Sequence, residues 1–284
     1  MRGILPRLMI TETIPGELIY YAFTLDSGFK ELEFIPTSDV HYGNHLFSRK
    51  HFLRHIAYIK AEPNRYTFLN GDMCESTIKS SKGDIFKQVG SVQDQWGWIS
   101  ELLYPIADRI LGCCDGNHED RIYNETGISV TKEIAKNLMI PYRPEGMLLK
   151  ISFGGGNGRH PESPYTYWHY YTHGYGGART ASAKSVKVER TSSYIHADVY
   201  GMSHDHVSNA APVVYLMPDN RTHTHKENGF TVGKITAKRK MLVKTNAFVK
   251  WGGYAEKGGF APSDLTTPII KMAGEGQPIV RVLV

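Results

Sequence analysis

The sequence predicts one layered α/β domain over residues 1–284, and three observations carry that expectation. Strand and helix signals alternate through the first half, the texture changes to short strands and turns from about residue 147, and no linker-like segment separates the halves. A hydrophobic content of 41% against 21% charged residues excludes a disordered chain and supplies a sizeable core.

Taken in order, Leu18, Tyr20 and Ala22 alternate, Asp26, Ser27 and Gly28 turn, and Leu32, Phe34 and Pro36 resume, which reads as a hairpin. Its second strand runs into Ser38, Asp39, Val40, His41, Tyr42 and Gly43. Phe52, Ile56 and Ile59 then recur at helical spacing until Pro63 and Asn64 stop the pattern. Tyr66 to Leu69 is a short strand ending in Asn70, Gly71 and Asp72. After a polar stretch around 76–90, Ile99, Leu102, Leu103, Ile106 and Ile110 mark one face of an amphipathic helix, kinked at Pro105. A strand near Ile110 to Cys114 ends in a polar cluster from Asp115 to Asp120, and Val130 to Leu138 forms another helix. Gly154 to Gly158 is a hairpin loop, with strands near 211–217, 229–235, 241–249, 268–272 and 278–283.

The formal charge of +5 suits an anionic substrate but falls short of a dedicated DNA-binding protein. Three cysteines, two of them adjacent at Cys113 and Cys114, give no disulfide framework. The start MRGILPRLMI meets Thr11, Glu12 and Thr13 at once and lacks the apolar core of a secretory signal, and no window approaches a membrane span. A cytoplasmic chain without a membrane partner is the expectation; the oligomeric state is left open.

Polar clusters that end strands are where open α/β sheets gather ligands. Asp39 and His41, two apart, can present a carboxylate and an imidazole to one cation. A D-x-H-x-G strand end, a G-D strand end, a G-N-H-E strand end, an isolated His-Gly and an H-x-H follow one another along the chain. A bridging carboxylate, imidazoles and an amide oxygen are what two divalent ions about 3.5–4 Å apart need.

In this order of motifs the chain resembles the calcineurin-like metallophosphoesterases, from about residue 32 to at least His206. The resemblance implies a four-layer α-β-β-α sandwich, with two mixed β-sheets flanked by helices. It implies that Asp39, His41 and His206 hold one metal, that Asn117, His173 and His204 hold the other, and that Asp72 bridges them. The ions are expected to be Mn²⁺ first, with Zn²⁺, Fe²⁺/Fe³⁺, Ni²⁺ or Mg²⁺ as alternatives. His118 matches the family's histidine beside the leaving oxygen.

Three positions depart from the commonest pattern. Ser203 replaces the glycine of G-H-x-H; Glu75 stands where protein phosphatases of this superfamily place an aspartate that orients the catalytic histidine; and Ser76 stands where they place a phosphate-gripping arginine. A protein phosphatase is therefore not expected. Glu75 or Asp120 would orient His118, with Arg121 as a substitute phosphate clamp.

Other histidines compete for these places. His223 and His225 form a second H-x-H in loop-like sequence, whereas His204 and His206 follow the strand pattern Ala197 to Met202. His169 and His160 compete with His173, which is preferred for its glycine-rich successor; His169 reads as packing or ligand support. His51 and His55 read as surface or partly buried positions, and His45 as a possible substrate contact. Tyr165, Tyr167, Trp168, Tyr170 and Tyr171 suit strand packing or base stacking. A loop carrying Arg179, Lys184, Lys187 and Arg190 is solvated charge or steers polyanions.

The expected function is in-line hydrolysis of phosphodiesters, in nucleic acid (DNA or RNA) or nucleotides, by a hydroxide made at the metals. A phosphomonoesterase and a metal-binding scaffold are the alternatives. The tail WGGYAEKGGFAPSDL at 251–265 is similar in texture to phage and prophage phosphoesterases.

Overall fold

The computed structural model describes residues 19–81, 83–158, 160–219, 224–262 and 265–284. Leu18, the first ten residues and His223 lie outside the described residues.

Strand β1 (Tyr20–Thr24) and strand β2 (Glu31–Phe34) are separated by a turn in which the Gly28 amide donates to Asp26 Oδ1 at 2.8 Å. They do not form the expected hairpin. Instead β1 lies parallel to β5 (Met147–Phe153), whereas β2 enters the other sheet beside β3 (Arg65–Asn70). Burial explains the divergence: β2 is covered on both faces, as an interior parallel strand must be, while β1 alternates as an edge strand does.

Helix α1 (Arg49–Ala61) buries Phe52, Ile56 and Ile59 as expected and ends just before Pro63. Helix α2 (Val92–Leu103) begins in a capping box between Ser91 and Asp94. Pro105 ends this helix rather than kinking it: the chain passes into a 3₁₀ stretch over Tyr104–Arg109, and Ile110 belongs to the next strand, β4 (Ile110–Cys114). Helix α3 (Asn117–Thr126) starts inside the polar cluster and was not foreseen; α4 (Val130–Leu138) was.

Strand β6 (Tyr165–Thr172) returns antiparallel to β5 across the 154–164 loop. The basic segment expected as a loop is helix α5 (Ala181–Thr191), capped by the Thr180 side chain. There follow β7 (Val199–Met202), β8 (Asn209–Pro218), a small hairpin of β9 (His225–Glu227) and β10 (Phe230–Val232), β11 (Ile235–Lys244), the short α6 (Tyr254–Lys257), β12 (Ile269–Ala273) and β13 (Val280–Leu283). The expected strand at 241–249 thus sits several residues earlier.

Two mixed sheets result, in the orders β13-β12-β2-β3-β4 and β1-β5-β6-β7-β11-β8. Their facing sides share an apolar interior in which Phe34 and Phe68 stack on Tyr171 with ring centroids 5.4 and 5.1 Å apart. Burying each such ring contributes about 1.5–3 kcal/mol. On the outer face of the first sheet, Phe52 and Ile59 of α1, Ile99 of α2 and Ile134 of α4 make a second core; on the outer face of the other, Val188 of α5 packs with Tyr200 and Leu242. The layers are helix, sheet, sheet, helix, and the four-layer sandwich expected from the resemblance is present. No helix of the described residues is long and apolar enough to cross a membrane.

Candidate metal centre

Asp39 and His41 follow β2, Asp72 follows β3, and Asn117 and His118 open α3 just after β4. His173 follows β6, and His204 and His206 follow β7. Strand ends of both sheets therefore converge on one point, four of the seven candidate ligands arriving from the first sheet and three from the second.

Backbone conformation aims them. Asp39, His41, Asp72, His204 and His206 all take positive φ, between 47° and 69°. Each costs of order 1–3 kcal/mol unless the surroundings enforce it, and such residues cluster at functional sites. Gly71, at φ +81°, permits close approach: a Cβ there would lie 2.6 Å from His173 Nδ1 and 2.7 Å from the Gly116 amide.

Within the first group, Asp39 Oδ1 and His206 Nε2 are 3.2 Å apart, as are His41 Nε2 and His206 Nε2, and His41 Nε2 is 4.0 Å from Asp39 Oδ1. In the second, His173 Nε2 lies 3.2 Å from Asp72 Oδ2, 3.2 Å from Asn117 Oδ1 and 3.3 Å from His204 Nδ1. Asp72 Oδ2 is also 3.8 Å from His41 Nε2, so it faces both groups.

The outer nitrogens settle which atoms face inward. His173 Nδ1 donates to the Asn70 carbonyl at 2.8 Å and His204 Nε2 donates to the Gly176 carbonyl at 2.6 Å. A neutral ring so bonded points a lone pair into the centre, the arrangement usual for metal-binding histidines. Bonds of about 2.0–2.2 Å from one ion place neighbouring donor atoms about 3.0–3.4 Å apart; most pairs in both groups have that spacing, with His41–Asp39 wider at 4.0 Å and His204–Asn117 closer at 2.7 Å. Asp39 Oδ1, fully buried, has no hydrogen-bond partner among the described residues. The residues present fit two divalent ions bound by oxygen and imidazole nitrogen.

The electrostatic field agrees. Burial alone would depress His41 and His173, yet Glu75 and Asp72 raise His41 to about 9, and Asp72 and Asp39 raise His173 to about 10. Burial pushes Asp39 up, but His206 and His173 hold it at about 2. The site favours positive charge.

The supporting residues differ from expectation. Glu75 Oε2 lies 3.2 Å from His41 Nδ1 and 3.9 Å from His118 Nδ1, so its carboxylate faces His41; its backbone carbonyl, not its side chain, takes the proton of His118 Nδ1 at 2.5 Å. Asp120 is exposed and makes no hydrogen bond or ion pair to His118 among the described residues. The neighbouring Glu119 is the buried acid: it accepts from the amides of Asp72 at 2.9 Å, Cys74 at 3.0 Å and Gly116 at 3.0 Å. Burial and the nearby Asp72 raise its pKa to about 8. The capping-box position of Glu119 in G-N-H-E, three residues into α3, was the available signal.

Asn70 was also missed. Its Nδ2 donates to Thr172 O at 3.0 Å and Ser203 Oγ at 2.5 Å, so Ser203, the departure from G-H-x-H, joins the ends of the two sheets. Beneath the H-x-H turn, Asp205 receives Lys187 Nζ at 2.6 Å and Lys244 Nζ at 2.7 Å, while Lys184 Nζ donates to its carbonyl at 3.0 Å. Lys184 and Lys187 are therefore buried braces of the turn, not solvated steering charges.

Arg121 and His45 line a cavity of about 1010 Å³ above the cluster, and Arg121 donates to Ser81 Oγ. Arg179 does not line it: its guanidinium lies 4.4 Å from the Phe260 ring centroid and donates to the Gly258 carbonyl. Tyr165, Tyr167 and Tyr171 are core, which removes them as base-stacking surfaces. His169 is fully buried among Phe34 and Met272. His55, expected near the surface, is buried against Thr37 Oγ1 at 2.6 Å, because α1 turns it onto the sheet. His225 is exposed in β9, and the strand thought to be lacking before it is β8.

No family model and no curated protein matches the chain. Among solved structures it is similar to a predicted phosphoesterase from Streptococcus pneumoniae, at 12% identity and TM-score 0.35, over 89% of each chain. It is similar to Vacuolar Protein Sorting 29 from Cryptosporidium parvum, at 12% identity and TM-score 0.39, over 89% of this chain and 98% of that one. A metallophosphoesterase from Sphaerobacter thermophilus is similar at 13% identity and TM-score 0.33, over 88% and 86%. The structural neighbours thus include a predicted phosphoesterase, Vps29 and a metallophosphoesterase.

Proposed function

We propose that the chain is a dinuclear metal-dependent phosphoesterase acting on phosphodiesters, with nucleic acid or nucleotides as the substrate class. One observation carries the reading: His173 Nε2, His204 Nδ1, Asn117 Oδ1 and Asp72 Oδ2 are turned toward one another, and Asp39, His41 and His206 repeat the pattern beside them. Imidazole nitrogens and carboxylate and amide oxygens crowd in this way around cations.

Asp39, His41 and His206 would hold one ion, Asn117, His173 and His204 the other, and Asp72 would face both. Mn²⁺ is the ion proposed. When bound, such a pair polarises phosphoryl oxygens and lowers the pKa of water. The chain's own contribution is orientation and proton handling. His118 Nδ1 is fixed on the Glu75 carbonyl, so Nε2, 4.0 Å from Asp72 Oδ2, would face the leaving oxygen and would donate to it from the doubly protonated ring. Arg121, on the cavity wall, supplies a guanidinium for a non-reacting phosphoryl oxygen.

The test is metal analysis together with hydrolysis of bis-p-nitrophenyl phosphate, p-nitrophenyl phosphate, single-stranded DNA and RNA in Mn²⁺. Faster turnover of the diesters supports the reading. Preference for p-nitrophenyl phosphate would make the chain a phosphomonoesterase. Inactivity on all four with two ions bound would make it a scaffold.

A further inference from the structure

The segment from 249 to 261 lies beyond every candidate ligand in sequence, yet Val249, Lys250, Trp251, Lys257 and Phe260 all line the cavity above the metal centre. It is held on both sides. Ser48 N donates to Phe248 O at 2.7 Å and Lys250 N to Leu46 O at 3.0 Å, while Arg179 grips the far end through Gly258 O and the Phe260 ring. Gly252 and Gly253, at φ +145° and +56°, bend the chain between these anchors.

Trp251 is the chemically distinctive member. Its Nε1–H donates to Phe260 O at 2.8 Å, which fixes the ring, yet the residue keeps 47% of its surface exposed. A tryptophan used for packing would be covered; this one offers its indole to the cavity with its single polar atom already bonded. Lys250 and Lys257 add positive charge on the same wall, with Arg121 elsewhere on the cavity lining. At about 1010 Å³ the space is at the upper end of pockets that enclose drug-sized ligands, more than a phosphoryl group needs.

We infer that the 249–261 wall is the subsite for the organic group esterified to the phosphorus, that this group carries a flat aromatic ring such as a nucleobase, and that Trp251 is the residue that stacks on it. The inference rests on the phosphoesterase reading for the reaction but not for binding. Stacking on one aromatic side chain is sequence-tolerant, so the wall selects a nucleoside over an alkyl group without choosing among bases.

The experiment compares a thymidine 5′-p-nitrophenyl phosphodiester with methyl p-nitrophenyl phosphate on the full chain in Mn²⁺, for the native residue, Trp251→Ala and Trp251→Phe. The ratio of kcat/KM between the two esters should fall roughly ten- to a hundredfold in Trp251→Ala, mainly through KM, and recover in Trp251→Phe. An unchanged ratio, or an equal loss on both esters, overturns the inference. Calorimetric binding of thymidine 5′-monophosphate to the same three proteins separates the two readings. If no ester turns over but Trp251→Ala still weakens binding about tenfold or more, the subsite stands and the hydrolase reading falls. If binding is indifferent to residue 251, the subsite is refuted whatever the activity.

Discussion

His41 and His206 present their Nε2 atoms to one another at 3.2 Å, above the buried Asp39 carboxylate. Two ring nitrogens so placed share a proton between them or hold a metal ion. Mn²⁺ should therefore stabilise the fold, by about 2.7 kcal/mol at a hundredfold excess over Kd. Thermal unfolding with and without chelator reads this directly, and an unmoved Tm would argue against a bound ion.

Asp72 and His118 should separate by phenotype. Asp72→Asn weakens the one carboxylate that faces both groups, so metal content and diester hydrolysis fall together. His118→Gln removes only the proton-handling ring; activity should drop about 10²–10⁴-fold with both ions retained. Elemental analysis beside kinetics distinguishes them, and full activity in Asp72→Asn would end the ligand assignment.

Asp205 neutralises two buried ammonium groups, Lys187 and Lys244, at 2.6 and 2.7 Å. Asp205→Ala leaves both without their counter-ion and should cost about 3–5 kcal/mol. Urea unfolding in chelator measures the loss apart from any metal effect; a change below about 1 kcal/mol would mean the lysines find other partners.

His206 takes φ 51° with its side chain about one third exposed. Asparagine, whose short amide can hydrogen-bond locally, tolerates that conformation better. In chelator, His206→Asn should unfold about 0.5–1 kcal/mol harder than the native chain while binding less metal. Equal or lower stability would show that the imidazole's packing outweighs the strain.

His169 should lend the fold a pH dependence. Burial lowers its pKa from 6.5 to about 3. The unfolded chain therefore takes up a proton below 6.5 that the folded chain refuses. Its contribution is complete above pH 6.5 and is lost as pH falls toward 3, about 2 kcal/mol being gone at pH 5. Unfolding at pH 7.5 and pH 5 should differ by about that much less in His169→Phe; an identical difference would place the proton elsewhere.

The strand-end clusters were legible because each is a local event: an apolar run stops and polar residues follow at fixed spacing. Asp39, His41, Asp72, Asn117, His204 and His206 could be picked out that way, and the structure gathers them. The turn at Asp26 to Gly28 was equally local, but whether a turn folds back or crosses to another sheet depends on which partners bury Leu32 and Phe34, and those partners are Phe68, Tyr171 and Ile270, far along the chain. The roles of Glu75 and Glu119 were opaque for the same reason. Three carboxylates within a few residues of the ligands look alike in sequence, and only packing decides that Glu75 faces His41 while Glu119 gathers three amides and Asp120 stays in water. Helix α5 was hidden by its charge: Lys184 and Lys187 read as solvated until Asp205, on another element, turns them inward.

Four of the seven candidate ligands come from the first sheet and three from the second, and this would set an order of assembly. A nascent chain that has reached residue 126 owns Asp39, His41, Asp72 and Asn117 but none of His173, His204 and His206. Its acidic half-site lacks most of its imidazoles. An ion seated between the finished halves would act as a rivet across the seam of the sandwich, so loading would report that both sheets have docked, and a chain stalled before β7 would lack the histidines that complete either site.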